Sequence, residues 1–360
     1  FILIRVYELS LKNYSFYNNL AQENIHKKIY IKPSRGIIYD SNHIPVAYNE
    51  LRFSILIKPQ LKSKQLSETI NFIHNILPNS KTKKLLKNYK KQNSYYNHKF
   101  IPVLEYLKYE DIYSVFPILA QNSNIKIESD YLRIYPFKNK MSHILGYVGK
   151  ATIKDVEKNS ELKIIEITGK NGIEKSYNKQ LTGKLGYKNV IVNAKNKIIK
   201  ELNLTKPISS NLELNIDSKL QTFIYNLFKK ENKKGTIIVL DIKGKVIAMV
   251  NYPSYDNNLF VKGISQKKWA KLINNNFNPF LNKAIAGVYP PGSSIKPALG
   301  LIAISSGKIN AYKKLWCPGY IKIGNRKFRD WRTQGHGWTD IKKAIKRSAD
   351  TYFYQIGLLL

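Results

Sequence analysis

Acidic residues are scarce in this 360-residue chain. Asp and Glu number 24 against 60 Lys and Arg, a formal net charge of +36. A surplus of that size ordinarily points to nucleic acid or another polyanion. The accompanying signs are missing: the sequence has no Arg-rich cluster and no RNA-binding motif. Lys, Asn, Ile and Tyr, the residues that A/T-rich codons specify, are all abundant. Compositional drift therefore accounts for the charge, and no nucleic-acid partner is expected. The charge still suits residence beside an anionic surface. Cysteine occurs once, at Cys317, which excludes an internal disulfide. No run of about 20 apolar residues is present, so no membrane span is visible. Tandem repeats are absent as well.

What is there is enough for a folded chain of two domains or more, with 43% hydrophobic residues. Both ends read as cuts. Phe1-Ile2-Leu3-Ile4 runs into Arg5 like the last turn of a hydrophobic helix that starts upstream. The helical run from Asp350 to Ile356 continues to Leu358-Leu359-Leu360 without a cap or breaker. Residues 1–34 are expected to form a membrane-proximal stub and a polar, Asn-rich stalk. Pro33-Ser34-Arg35-Gly36 is a turn, followed by strand signals at Ile37-Ile38-Tyr39 and Phe53 to Ile57. Leu66 to Leu77 has helical periodicity and stops at Pro78. Lys81 to His98 reads as a solvated helix and loop. Asp130 to Pro136 reads as a strand, and Gly169 to Leu202 mixes a short helix with hairpin strands.

A boundary is expected between Thr205 and Asn211. Beyond it, Asp217 to Phe228 predicts a helix with Leu220, Phe223, Ile224 and Leu227 on one face. Gly235 to Asp241 and Lys245 to Val250 predict a hairpin turning at Ile242-Lys243-Gly244. Ser294 to Ser306 predicts a helix that ends at Gly307.

That helix begins with Pro291-Gly292-Ser293-Ser294-Ile295-Lys296, an S-x-x-K. A serine hydroxyl needs a base to become a nucleophile. Three-residue spacing on a helix puts Ser293 and Lys296 on one face, within reach of each other. Lys296 acts as base only when neutral, and desolvation lowers a lysine pKa. Burial of the Ala-, Leu- and Ile-rich helix would supply that desolvation. The free N–H groups of a helix start also suit developing negative charge. The plainer reading is an N-capping Ser beside a solvated Lys. S-x-x-K alone recurs by chance. The stiff entry Val288-Tyr289-Pro290, and a Pro297 that a first turn tolerates, favour the functional reading.

Ser348-Ala349-Asp350 lies between a basic helix, Ile341 to Lys346, and the aromatic run Tyr352-Phe353-Tyr354. By itself it reads as an N-cap; beside an S-x-x-K it becomes a second catalytic element. The aromatic run reads as core. Cys317, Asp330 and His336 are the residue types of a zinc site. Their spacing is not that of a finger or ribbon, and the competing reading is a buried Cys beside a hydrogen-bonded Asp–His pair. His43, His74, His98 and His143 read as turn or surface residues.

At this point the chain resembles the class B penicillin-binding proteins, in order and over essentially its whole length. Arg35-Gly36-Ile37-Ile38-Tyr39-Asp40 is similar to the entry motif of that family's non-catalytic domain. Gly169-Lys170-Asn171-Gly172-Ile173-Glu174-Lys175-Ser176-Tyr177 and Leu181-Thr182-Gly183 are similar to its later signature. Asn251-Tyr252-Pro253-Ser254-Tyr255-Asp256 precedes the nucleophile as in the family. Arg329-Asp330-Trp331, Gly335-His336-Gly337 and the stretch from Ser348 to Gln355 resemble the elongation-type members. S-x-x-K, S-D-N and K-T-G are the three motifs of such proteins and of class A β-lactamases. Here Asp350 stands where Asn is usual.

The resemblance implies an α+β multidomain fold. A β-rich non-catalytic pedestal of the dimerisation type, residues 35–205, would precede an α/β transpeptidase domain like that of β-lactamases. Residues 206–360 would be the N-terminal part of that domain, incomplete. It implies that Ser293 attacks the D-Ala-D-Ala bond of a peptidoglycan stem peptide. Lys296 would be its base, with Ser348 and Asp350 as proton-relay and positioning groups. The acyl group would pass to an amine of a neighbouring stem, and β-lactams would acylate the same serine. No cofactor is required. Expected partners are a SEDS-family glycosyltransferase of the rod-elongation complex and the bacterial inner membrane. A single N-terminal anchor ahead of Phe1 would leave the rest periplasmic. The third motif, K-T-G or K-S-G, lies on a downstream strand in the family, and the sequence ends at Leu360 before it. The piece alone is therefore expected to be inactive. Two alternatives stay open. One is a truncated or decayed copy serving as a scaffold. The other is a β-lactamase-like hydrolase or penicillin sensor, which leaves Arg35 to Asp40 and the long pedestal unexplained.

Overall fold

The computed structural model describes residues 2–13, 15–16, 25–193 and 197–360. Phe1 and parts of the expected stalk lie outside the described residues. The chain divides into two compact units, residues 1–287 and 288–360. The expected boundary segment, Thr205 to Asn211, lies inside the first. No helix among the described residues is long and apolar enough to cross a membrane.

The first unit is organised around one long strand, Pro45–Ile57. Its β-branched and aromatic residues alternate across a pleat, which suits pairing on both edges. It pairs antiparallel with Ile125–Ile134 in an unbroken register from Tyr48↔Ile134 to Ile57↔Ile125. It also pairs antiparallel with Ile38–Tyr39 and with Ile101–Leu107, and Leu212–Glu213 adds a parallel strand to Ile38–Tyr39. The helices Ser63–Ile76 and Thr82–Gln92 share the core of this sheet, through Ile70, Ile73, Leu85 and Tyr89 against Ile55, Ile57, Ile101 and Val103. A second sheet orders His26–Ile31, Gly186–Val192 and Ile198–Thr205 antiparallel.

Three local expectations are corrected here. Lys81 to His98 is more than a solvated segment, because Leu85 and Tyr89 are core residues and the Tyr89 hydroxyl bonds Lys58 O and Leu61 N. The helix Ser218–Lys230, capped by Asp217, does not bury the face its apolar residues define. Phe223 and Leu227 are exposed, while Gln221, Ile224 and Tyr225 are buried. The reason is the Gln221 amide, which donates to Lys140 O and Met249 O and accepts from Met249 N. A side chain that satisfies three backbone groups fixes the buried face more firmly than two apolar contacts do. His143 is no surface residue either. Its Nε2 lies 2.9 Å from Pro279 O, and burial pulls its pKa down to about 4.

The entry motif and the later signature, more than a hundred residues apart, meet in one buried ion cluster. Arg35 Nε and Arg133 Nε donate to the two Glu174 oxygens at 2.6 and 2.8 Å, and the Tyr135 hydroxyl adds a bond at 3.1 Å. The Glu174 side chain is fully buried. The approach is tight: a Cβ on Gly169 would stand 2.0 Å from Glu174 O, and one on Gly36 2.0 Å from Ser210 O. Only glycine admits backbone at that distance.

Burial alone would raise the Glu174 pKa, but Arg133 and Arg35 outweigh it and hold the carboxyl below its ordinary value. A depressed carboxylate contributes stability above its unfolded pKa and loses it as pH falls through the folded one. Glu174→Gln leaves two guanidinium groups buried without a counter-charge and should destabilise the first unit by about 3–5 kcal/mol. Urea unfolding at neutral pH measures this. The gap between wild type and variant should shrink below pH 4, toward the lowered folded value. A gap independent of pH would contradict the assignment.

Candidate active site

The second unit carries every residue of the predicted S-x-x-K and second motif. Gly292–Ile295 forms a 3₁₀ turn that leads into the α-helix Lys296–Ser305. Ser293 therefore sits on the tighter turn and Lys296 on the first residue of the α-helix. Lys296, Gly300 and Ala303 follow one another at helical spacing and are the buried stripe. Gly300 permits the close crossing, because a Cβ there would meet Ile341 Cδ1 at 2.6 Å. Ala303 shares a core with Ile341, Ala344, Tyr352, Phe353 and Ile356, so Tyr352 and Phe353 are core as expected, while Tyr354 is only half-buried, against Phe328. Contrary to expectation, the whole helix is not buried: Leu301 and Ile302 on its other side are exposed.

The helix Ile341–Arg347 is capped by Asp340, whose side chain accepts from Lys343 N. It ends in a Schellman turn. Ala349 N donates to Ala344 O at 2.9 Å and Ser348 N to Ile345 O at 3.2 Å. Glycine usually holds the left-handed position of such a turn, but here it is Ser348, at φ 52° and ψ 43°. A side chain there costs roughly 1–2 kcal/mol. The turn directs both the carbonyl and the hydroxyl of Ser348 at Lys296. The helix Asp350–Leu359 starts immediately afterwards.

The four predicted residues are joined in one hydrogen-bonded chain. Lys296 Nζ donates to Ser348 O at 2.9 Å, to Ser348 Oγ at 3.0 Å and to Asp350 Oδ1. Ser348 Oγ donates to Ser293 Oγ at 2.8 Å. The expected direct Ser293–Lys296 pairing is replaced by a relay through Ser348. Three acceptors surround Nζ, matching the three N–H directions of a lysine side chain. The Lys296 side chain is 9% exposed and lies against the Asp350 carboxylate, with the Phe353 ring 5.7 Å from Nζ.

The expected zinc set is not assembled. Asp330 and His336 are together, with Nε2 at 3.1 Å from Oδ1, and Cys317 is buried nearby in the strand Leu315–Cys317. Both Asp330 oxygens are occupied: Oδ1 also accepts from Arg332 N, and Oδ2 from Thr351 N and Oγ1. Burial raises the Cys317 pKa, which disfavours the thiolate that a metal needs. Among the described residues no group of three or more His, Cys, Asp or Glu is gathered around a metal-sized point. The Thr351 bond, and that of Trp331 Nε1 to Arg347 O at 3.1 Å, had no sequence signal, since neither residue type nor spacing marks them.

Comparisons with known proteins give the family. A family model described as the penicillin-binding protein dimerisation domain matches residues 30–214, and one described as the penicillin-binding protein transpeptidase domain matches residues 235–360. The chain is 33% identical to the peptidoglycan D,D-transpeptidase MrdA of Escherichia coli (strain K12), over 99% of this chain and 57% of that protein. It is 35% identical to the Haemophilus influenzae counterpart, over 99% of this chain and 56% of that one. The chain thus spans somewhat over half the length of these relatives. Among solved structures, it is similar to penicillin-binding protein PBP2 of Helicobacter pylori in a complex with MreC. The TM-score is 0.85 and the identity 40%, covering 93% of this chain and 63% of that one. It is also similar to PBP2 of Pseudomonas aeruginosa, at a TM-score of 0.62 and 28% identity, covering 93% and 54%. Two family models that together cover most of the chain, and relatives of the same kind aligned over 99% of it, show the family: the chain belongs to the class B penicillin-binding proteins of the PBP2/MrdA type.

Proposed function

We propose that the protein is a peptidoglycan D,D-transpeptidase of cell elongation, acting through an acyl-enzyme on Ser293. The observation that carries this is the unbroken chain Ser293–Ser348–Lys296–Asp350. In the resting arrangement Lys296 is a donor, so it must first release a proton to become a base. The Asp350 carboxylate in contact with it is the nearest acceptor. Once the two hydroxyls turn so that Ser293 donates to Ser348 and Ser348 to Lys296, neutral Lys296 takes the Ser348 proton while Ser348 takes that of Ser293. The Ser293 oxygen bonds to the penultimate D-Ala carbonyl carbon, and the C–N bond to the terminal D-Ala breaks. The same relay, run backwards, returns a proton to the leaving amine. An amine of a neighbouring stem then bonds to the ester carbonyl carbon and gives up a proton to the relay; the C–O bond to Ser293 breaks, and the relay returns the proton to the Ser293 oxygen. General acid–base relays of this kind contribute about 10²–10⁴-fold. A strained β-lactam amide would enter the same sequence and stop at the acyl-enzyme.

The reading requires no cofactor. It places the protein at the bacterial inner membrane on an N-terminal anchor, with these domains in the periplasm. Its pedestal would meet a SEDS-family glycosyltransferase and an MreC-like partner, such as the one complexed with the Helicobacter pylori relative.

Four measurements test this. In the full-length protein, a fluorescent penicillin should label Ser293 alone, and Ser293→Ala should remove the label. Lys296→Ala should do nearly the same, and Ser348→Ala should slow labelling by about 100-fold or more. Label surviving in Ser293→Ala would sink the reading and revive the scaffold alternative. Elemental analysis should find no stoichiometric zinc in wild type or in His336→Ala; one equivalent in wild type would restore the metal set. Deleting residues 35–200 should abolish co-purification with the glycosyltransferase, and unchanged recovery would move that interface elsewhere. Fractionation should place the full-length protein in the inner membrane; a cytoplasmic product would refute the anchor.

A further inference from the structure

We infer that Asp330 and Trp331 clamp the second motif from both flanks and set Ser348 and Asp350 against Lys296. The inference rests on the transpeptidase reading above and assigns these residues a positioning role within it.

The helix Asp350–Leu359 has no cap of its own. Its N-cap residue is Ala349, which has no side-chain acceptor. Asp330, 21 positions before Thr351, supplies the acceptor instead. Its Oδ2 takes Thr351 N at 2.9 Å and Thr351 Oγ1 at 3.0 Å. This is the work of an N-cap carboxylate, satisfying a first-turn N–H that would otherwise be stranded. On the other flank, Trp331 Nε1 donates to Arg347 O at 3.1 Å. Arg347 immediately precedes Ser348, and Thr351 immediately follows Asp350. Adjacent residues of one loop therefore hold the chain on both sides of Ser348-Ala349-Asp350.

A clamp is useful only if it is stiff. Asp330 N donates to Gly319 O at 2.9 Å and His336 N to Cys317 O at 2.8 Å. A Cβ on Gly319 would lie 1.7 Å from Thr333 O, and one on Gly335, at φ +76°, 2.4 Å from Cys317 O. Backbone is packed on backbone. The Asp330 and His336 side chains are fully buried, and Thr351 is fully buried as well. Burial raises the Asp330 pKa, but its four hydrogen bonds outweigh that and hold the carboxyl below the ordinary value. It stays an anion facing the helix N-terminus.

What is clamped needs holding. Ser348 is the one non-glycine left-handed residue of the second unit among the described residues. A small rotation there would swing its hydroxyl off Ser293 and Lys296. Misplacement of reacting groups by about 1 Å costs on the order of 100-fold.

The experiment uses the full-length protein and a fluorescent penicillin at several concentrations, separating the acylation rate constant from the dissociation constant of the first complex. Asp330→Asn keeps the shape but replaces one acceptor oxygen by a donor. It should lower the acylation rate constant about 10- to 100-fold, with the dissociation constant within about threefold. Trp331→Phe and Thr351→Val each remove one bond and should give smaller falls, about 3- to 10-fold. They keep the claim testable if Asp330→Asn does not fold. Glu174→Gln, destabilising but remote in role, is the control. Its folded fraction should acylate at the wild-type rate, so slowing by general instability is told apart. Wild-type labelling with equally fast Trp331→Phe and Thr351→Val overturns the clamp and leaves the transpeptidase reading intact. Failure of wild type to label at all overturns that reading instead.

Discussion

Holding an ammonium group in a nearly dry place is the constraint on which the second unit is built. Lys296 is buried at the start of an apolar helix, and an unpaired charge there would cost several kcal/mol. Every neighbour of its Nζ answers that cost: a carboxylate, a backbone carbonyl, a hydroxyl and an aromatic face. Asp at position 350, where relatives of the broader motif have Asn, changes the chemistry of rest. An amide would leave the ammonium without a counter-charge; the carboxylate supplies both the counter-charge and a place for the proton to go.

The first unit solves the same electrostatic problem for another purpose. Arg35 and Arg133 converge on one Glu174 carboxylate, with a phenol and several backbone groups completing the set. Such a cluster adds less stability than an apolar core of equal volume, but it is intolerant of alternatives. Strands from the entry motif and a short helix from the later signature can meet in only one way if those charges are to be matched. The glycines at 36 and 169 then serve the cluster, since they let the backbones approach closely enough for the side chains to reach.

The sequence made the chemistry of the S-x-x-K legible because helical spacing is a local rule. Ser293 and Lys296 had to be neighbours on one turn. It could not show that a third residue stands between them, since Ser348 comes from another helix and its direction depends on a single left-handed φ. Local rules also missed the buried face of Ser218–Lys230. Periodicity counts Phe223 and Leu227, whereas the structure counts the three backbone groups that only Gln221 satisfies. Asp330 and His336 were legible as a pair but not as a bracket. Residue type suggests metal; the positions of Thr351 N and Arg332 N, which the sequence hides, use up the same oxygens.

Ser348 shows how these levels bear on each other. Its turn is one that glycine would make at no steric cost, and Ala349 and Ala344 already provide the small apolar contact that closes it. Stability alone would select glycine. A serine persists there only if its hydroxyl is worth more than the strain, and the hydroxyl touches both Ser293 and Lys296. The strain also has a consequence for the surroundings. A residue held in a costly conformation stays there only when the flanking chain is fixed. The flanks here are a closed Schellman turn on one side and a helix start capped from a distant loop on the other. The fixed flanks thus hold the residue least able to hold itself, and its hydroxyl is the one that touches both Ser293 and Lys296.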